Sequence, residues 1–248
     1  MSKKLANATN LYMEGIRDGN ALEAVTKYTG QRYTQHSTGV RNGVDGFVEF
    51  FEPFVKRCPV RDIKIIRSIV DGQFVFVQAF QDINHGENKW VTTDLFDTDV
   101  EDKIIEHWDV ISAFETQASS EGGRLDGPTK HTDIEKTEDN KNLVRDFLCD
   151  VMVLGQKEEL PKYLNTEELQ VYSASDVGPL NSYIGGYDHV FKIIGQGDFV
   201  VAYSRVIENS KEVARFDLFQ IKEDQIRHIW VNQEPVPPKK EWVNGGKF

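Results

Sequence analysis

The chain has 248 residues, 39% hydrophobic and 28% charged, with a formal net charge of −11. That composition supports a packed core and excludes wholesale disorder, while the acidic balance argues against nucleic acid or an anionic membrane as partner, since both need basic surface. Cys58 and Cys149 have neither CxxC spacing nor a companion His pair, so no zinc site or disulfide framework is expected, and with no 18-residue apolar run a cytoplasmic location is expected.

Leu11, Tyr12, Gly15 and Ile16, then Leu22, Val25 and Tyr28, recur at helical spacing and predict two short helices broken at Asp18-Gly19-Asn20. Tyr33 to Ser37 is polar and reads as a helix end or a short extended piece. A glycine-rich loop, Gly39 to Gly46, leads to a third helix over Val44 to Val55, with Phe47, Phe50, Phe51 and Phe54 on one face and Pro53 placed to kink it. Beyond Pro59 the period changes to two. Strands are predicted over Asp62 to Val70, Phe74 to Phe80, Lys89 to Phe96 and Lys103 to Ile111, parted by turn residues at Asp71-Gly72, Asn84-His85-Gly86 and Glu101-Asp102. Helices followed by an antiparallel meander make an α+β pattern.

In the last of these strands Asp109 interrupts an apolar run. Alternation puts His107 and Asp109 on one face and Trp108 and Val110 on the other. This reads either as an acid and an imidazole lining one surface or as a solvated polar face over a Trp-lined core.

Residues 119–139 are poor in apolar side chains, contain Gly-Pro, and are expected to be a linker. Then the pattern restarts: Asn142-Leu143 matches Asn10-Leu11, Gly197-Asp198-Phe199-Val200 matches the Gly72 hairpin, and Asp217-Leu218-Phe219 matches Asp94-Leu95-Phe96. A tandem duplication is expected, with domains at 1–118 and 140–236 and a Pro- and Lys-rich tail, 237–248, lying over the surface. Aligning Lys103–Asp109 with Gln225–Val231 sets Val231 where Asp109 stands, and Gln35-His36 meets Gln170-Val171-Tyr172. The second copy thus lacks the acid and imidazole of the first.

Gln35-His36, the Gly43-x-x-Gly46-Phe47 start of the aromatic helix and Glu106-His107-Trp108-Asp109 together resemble the SnoaL-like polyketide cyclase branch of the NTF2-like superfamily. Many relatives carry Arg after the Asp-Leu-Phe strand, where this chain has Asp97. The resemblance implies two α+β cones, each with N-terminal helices on a strongly curved antiparallel sheet around an apolar pocket. It also implies pairing through the sheets, satisfied as an intramolecular pseudo-dimer or a homodimer. Cyclases of this branch close rings by an aldol step with no cofactor or metal; relatives include ketosteroid isomerase, dehydratases, hydrolases and pockets without known turnover.

By that resemblance Asp109 is the acid/base residue, Asp94 the second polar group and His36 an imidazole at the pocket mouth. His107, Tyr33, Tyr12, Phe50, Phe51, Phe54 and Trp90 are the expected ligand-facing residues. Burial among aromatic rings is expected to raise a carboxyl toward neutral pH, as proton abstraction beside a carbonyl requires. The expected ligand is a small apolar carbonyl compound, with cyclisation, isomerisation or dehydration as the reaction and no cofactor or metal, since no HxxxH or HxH spacing enforces a metal site. A non-catalytic ligand-binding module and a sheet-mediated interaction domain remain as alternatives.

Overall fold

The computed structural model describes residues 2–114, 123–175 and 177–248. The chain divides into one unit of Met1–Ala113 with Pro237–Phe248 and another of Phe114–Val236.

In the first unit α1 (Lys3–Asn10) starts at Ser2, whose hydroxyl accepts from the Leu5 amide. It runs on as a π-helical stretch, Leu11–Arg17, which buries Leu11, Tyr12, Gly15 and Ile16. Gly15 admits α2 (Ala21–Tyr28) closely, since a Cβ there would lie 3.2 Å from the Ala24 Cβ. The ambiguous polar segment is a strand, β1 (Thr29–Gln35). α3 (Gly43–Arg57) contains Pro53 within the helix and starts at two glycines that the backbone demands. Gly43 has φ +82, and a Cβ on Gly46 would meet the Arg41 carbonyl oxygen at 2.1 Å.

β2 (Arg61–Asp71), β3 (Phe74–Ile83), β4 (Asn88–Thr98) and β5 (Ile104–Ala113) follow where the period-two pattern put them. Their turns use positive φ at Gly72, at Asn84, His85 and Gly86, and at Asp102. The sheet order is β1-β5-β4-β3-β2, antiparallel except that β1 runs parallel to β5. Val25, Phe47, Val75, Val77, Phe96 and Ile104 belong to the core between helices and sheet.

The second unit carries α4 (Thr137–Phe147), continued by a π-helical stretch Leu148–Val153, the short α5 (Leu160–Tyr163) and five strands. These are β6 (Gln170–Tyr172), β7 (Tyr187–Gln196), β8 (Phe199–Glu208), β9 (Lys211–Lys222) and β10 (Gln225–Pro235). Their order, β6-β10-β9-β8-β7, repeats that of the first sheet, again with the first strand parallel to the last. Both units are therefore α+β, helices with a five-stranded sheet.

The stretch from 123 is no free linker: Arg124 donates to Asn232 Oδ1 at 2.7 Å, the Trp230 indole donates to the Asp126 carbonyl at 2.8 Å, and the Thr132 amide donates to Asp198 Oδ1 at 2.7 Å. Its anchors are polar and backbone groups, which leave no apolar period to read. The expected boundary at 118/119 falls within 115–122, outside the described residues. The tail is exposed from Pro238 to Glu241, and its end turns inward, with Gly246 and Lys247 buried within the first unit. Among the described residues no helix is long and apolar enough to cross a membrane.

Candidate active site

In the first unit, antiparallel pairing sets Asp94 of β4 directly opposite Asp109 of β5, and the parallel pairing of β1 sets Gln35 beside His107. Because β5 alternates, His107 and Asp109 face a cavity of about 90 Å³ together with Asp94, Tyr12, Tyr33 and Gln35. Phe47, Phe51 and Phe54 of α3, with Leu11 and Ile16 of the π-helical stretch, supply its apolar wall, and Phe50 and Ile111, 44% and 40% exposed, form its rim. Ser37, Val40, Gln81 and Phe96 complete it.

His107 is locked on both ring nitrogens. Nδ1 lies 2.8 Å from Gln35 Oε1 and Nε2 lies 2.9 Å from Asp94 Oδ1, while the ring stacks on Phe96. Gln35 is oriented in turn by donating from Nε2 to the Tyr33 hydroxyl at 2.8 Å, so its Oε1 acts as an acceptor toward His107. Both bonds to the ring are satisfied by an imidazolium donating to a carboxylate, or by a neutral ring whose Nε2 accepts a hydrogen bond from a protonated Asp94. One hydrogen bond thus joins His107 to Asp94. The other oxygen of Asp94, Oδ2, is buried without a hydrogen bond of good geometry, although the Tyr12 phenol lies close enough to influence it.

The two aspartates differ in charge environment. Burial raises the Asp94 carboxyl and the nearby Asp109 charge adds to this, outweighing the hydrogen bond and charge of His107. For Asp109 burial also pushes upward, but the Lys247 ammonium, the charge of His107 and a hydrogen bond from Ser37 hold it below the usual carboxylate range. The expected raising of a pocket carboxyl thus falls on Asp94 and not on Asp109. Lys247 reaches it with Nζ 2.7 Å from Oδ1, and both side chains are buried. Burial and the neighbouring aspartates keep both Tyr33 and Tyr12 protonated by raising their phenols.

His36 does not reach the cavity. It follows β1 in register, Tyr33 and Gln35 facing inward, and its own ring stacks at 4.8 Å on Trp108, which alternates to the opposite face of the sheet. Its Nε2 lies 2.8 Å from Glu106 Oε1 and its Nδ1 2.8 Å from the Gly246 carbonyl. Trp90 packs against Phe54 at 6.3 Å and is not among the described residues that wall the cavity. Gln35 was marked only as part of the Gln35-His36 motif, and Ser37, Gln81 and Lys247 were not expected at the site. The inward phase of Gln35 was available from alternation with Tyr33; for Lys247 no sequence signal existed. Among the described residues no group of three or more His, Cys, Asp or Glu is arranged to hold a metal ion.

The second unit has filled the corresponding place. Asp217 stands opposite Val231 on β10, accepts from Arg215 Nε at 2.9 Å and from the Tyr187 hydroxyl at 2.6 Å, and all of these are buried. Tyr172 stacks on Trp230 as His36 stacks on Trp108.

No family model and no curated protein matches this chain. Among solved structures it is similar to a candidate polyketide cyclase from Bacillus cereus ATCC 10987, at 18% identity and TM-score 0.39 over 44% of this chain and 74% of that one. It is also similar to a candidate polyketide cyclase from Acidithiobacillus ferrooxidans, at 21% identity and TM-score 0.39 over 45% and 89%. A third, a candidate SnoaL-like polyketide cyclase from Jannaschia sp. CCS1, matches at 17% identity and TM-score 0.36 over 44% and 85%.

Proposed function

We propose that the first unit is a SnoaL-like, cofactor-independent acid/base enzyme that moves a proton beside the carbonyl of a small apolar compound. The observation that carries this is a His107–Asp94 pair hydrogen-bonded at 2.9 Å in an aromatic cavity, with a second carboxylate, Asp109, opposite Asp94 on the neighbouring strand. Aldol cyclisation, isomerisation and dehydration of such compounds all begin by removing the proton on the carbon next to the carbonyl. Asp94, raised in pKa and with one oxygen lacking a well-aligned partner, is the stronger base of the two and takes that proton. Asp109 stays ionised, and its charge raises Asp94. Tyr33, which accepts from Gln35 and keeps its own hydroxyl hydrogen, donates to the developing enolate oxygen.

A cavity of about 90 Å³ is well below the roughly 300–1,000 Å³ of ordinary ligand pockets. The reacting end of the substrate therefore enters alone, and its remainder lies along Phe50 and Ile111 at the rim. The small cavity also favours the second reading, a ligand-binding module without turnover. The second unit, whose strand order repeats that of the first and whose Asp217 stands opposite Val231, is read as a duplicate without this site.

The test is a panel of small ketones and β-dicarbonyl compounds, screened by thermal shift and then by incorporation of deuterium next to the carbonyl in heavy water. Binding with protein-dependent exchange supports the enzyme, binding without exchange supports the second reading, and neither overturns both.

A further inference from the structure

The C-terminal residues enter the first unit's site from outside the cavity. The Val243 amide donates to the Thr38 carbonyl at 3.0 Å, and the Asn244 side chain donates to the carbonyls of Ser37 at 2.6 Å and Val40 at 2.9 Å. Gly246, at φ +102, turns the chain where any Cβ would lie 2.2 Å from the Trp242 ring, so only glycine serves there. The next residue is Lys247. It is 2% exposed, and a lysine so buried needs a partner. That partner is Asp109, at 2.7 Å.

Asp109 and Ser37 wall the cavity, whereas Lys247 is not among the described residues that do. The ammonium therefore supports the carboxylate from behind and leaves the cavity free. We propose that Lys247 is a positioning residue of this site, delivered by the C-terminal tail to keep Asp109 ionised and fixed opposite Asp94.

Without it Asp109 faces another carboxylate, Asp94 on β4, with His107 of β5 as the nearest counter-charge and the phenols of Tyr12 and Tyr33 on the remaining sides. Two acids in one buried site do not both ionise readily. Asp109 then takes a proton, its charge no longer raises Asp94, and the two carboxyls become alike. The use of this charge rests on the acid/base reading above; its existence does not.

The experiment follows the side-chain carboxyl carbons by NMR from pH 3 to 8 in the full chain labelled with carbon-13 aspartate, with Asp109→Asn and Asp94→Asn spectra fixing the assignments. Wild type is compared with Lys247→Met, Lys247→Arg and a chain ending at Trp242. The expected result is that the Asp109 midpoint rises by at least about one unit, tenfold in proton affinity, in Lys247→Met and in the shortened chain, and returns toward wild type in Lys247→Arg. An Asp109 midpoint unchanged in both Lys247→Met and the shortened chain overturns the proposal. A shifted midpoint in a protein that catalyses no deuterium exchange upholds it while refuting the enzyme reading.

Discussion

Asp217→Asn in the second unit keeps the shape of the side chain and removes its charge, leaving Arg215 buried without a counter-ion. Arg215 and Asp217 are each 1% exposed, and the guanidinium also donates to Gln233 Oε1 at 3.0 Å and stacks over the Tyr183 ring at 4.2 Å. It therefore cannot swing to water without unpacking that ring. Breaking one partner of such a pair costs about 3–5 kcal/mol. With an unfolding entropy of about 2.1 cal/mol/K per residue, a unit of roughly 120 residues loses about 12–20 °C in its transition. Calorimetry gives the shift, and hydrogen exchange over β8 and β9 assigns it to this unit. The paired change Arg215→Met with Asp217→Leu should be neutral or stabilising, because it removes both charges together. A drop below about 4 °C for Asp217→Asn alone would refute the reasoning that this ion pair is a structural filling of the second cavity.

In the first unit, Asp109→Asn removes the counter-charge of the buried Lys247 ammonium, so the tail should loosen; hydrogen exchange at Val243 should rise at least tenfold, and protection there equal to wild type would contradict it. The two aspartates act on stability in opposite pH windows. Asp109, lowered on folding, stabilises above its unfolded value of about 4 and loses that contribution as pH falls through its lower folded value. Asp94, raised on folding, stabilises below about 4 and loses that contribution as pH rises through its higher folded value. Urea midpoints between pH 3 and 7 should therefore flatten above pH 4 in Asp94→Asn and below pH 4 in Asp109→Asn. Gly46→Ala should destabilise the start of α3 by more than the ordinary ~1 kcal/mol helix gain from alanine can offset, since its Cβ meets backbone at 2.1 Å; an unchanged urea midpoint would show that the loop yields freely.

The elements were legible because each had a local cause. The Phe-rich period of α3, the turns at Gly72 and Asn84-His85-Gly86, and the period-two runs of β2 to β5 are all written within a few residues. The inward phase of His107 and Asp109 followed from alternation alone. The same rule, carried one residue past Gln35, would have sent His36 to the Trp108 face; a resemblance read at the level of residue type obscured it. Lys247 could not be found, because it lies 138 residues from Asp109 and only the folded chain brings an ammonium into that site. That cation is also why Asp109 is lowered where burial alone would raise it: burial is visible in an apolar strand, whereas a distant counter-charge is not.

The most direct measurement is the rate of deuterium incorporation next to the carbonyl of the compound that binds best, in wild type, Asp94→Asn and Tyr187→Phe. Tyr187 serves the second unit alone, through its bond to Asp217. General-base contributions are worth about 10²–10⁴-fold, so Asp94→Asn should lose at least a hundredfold while Tyr187→Phe keeps the wild-type rate. Exchange that survives Asp94→Asn, or that disappears with Tyr187→Phe in a protein still folded, would contradict the assignment of the chemistry to the first unit's paired acid and imidazole.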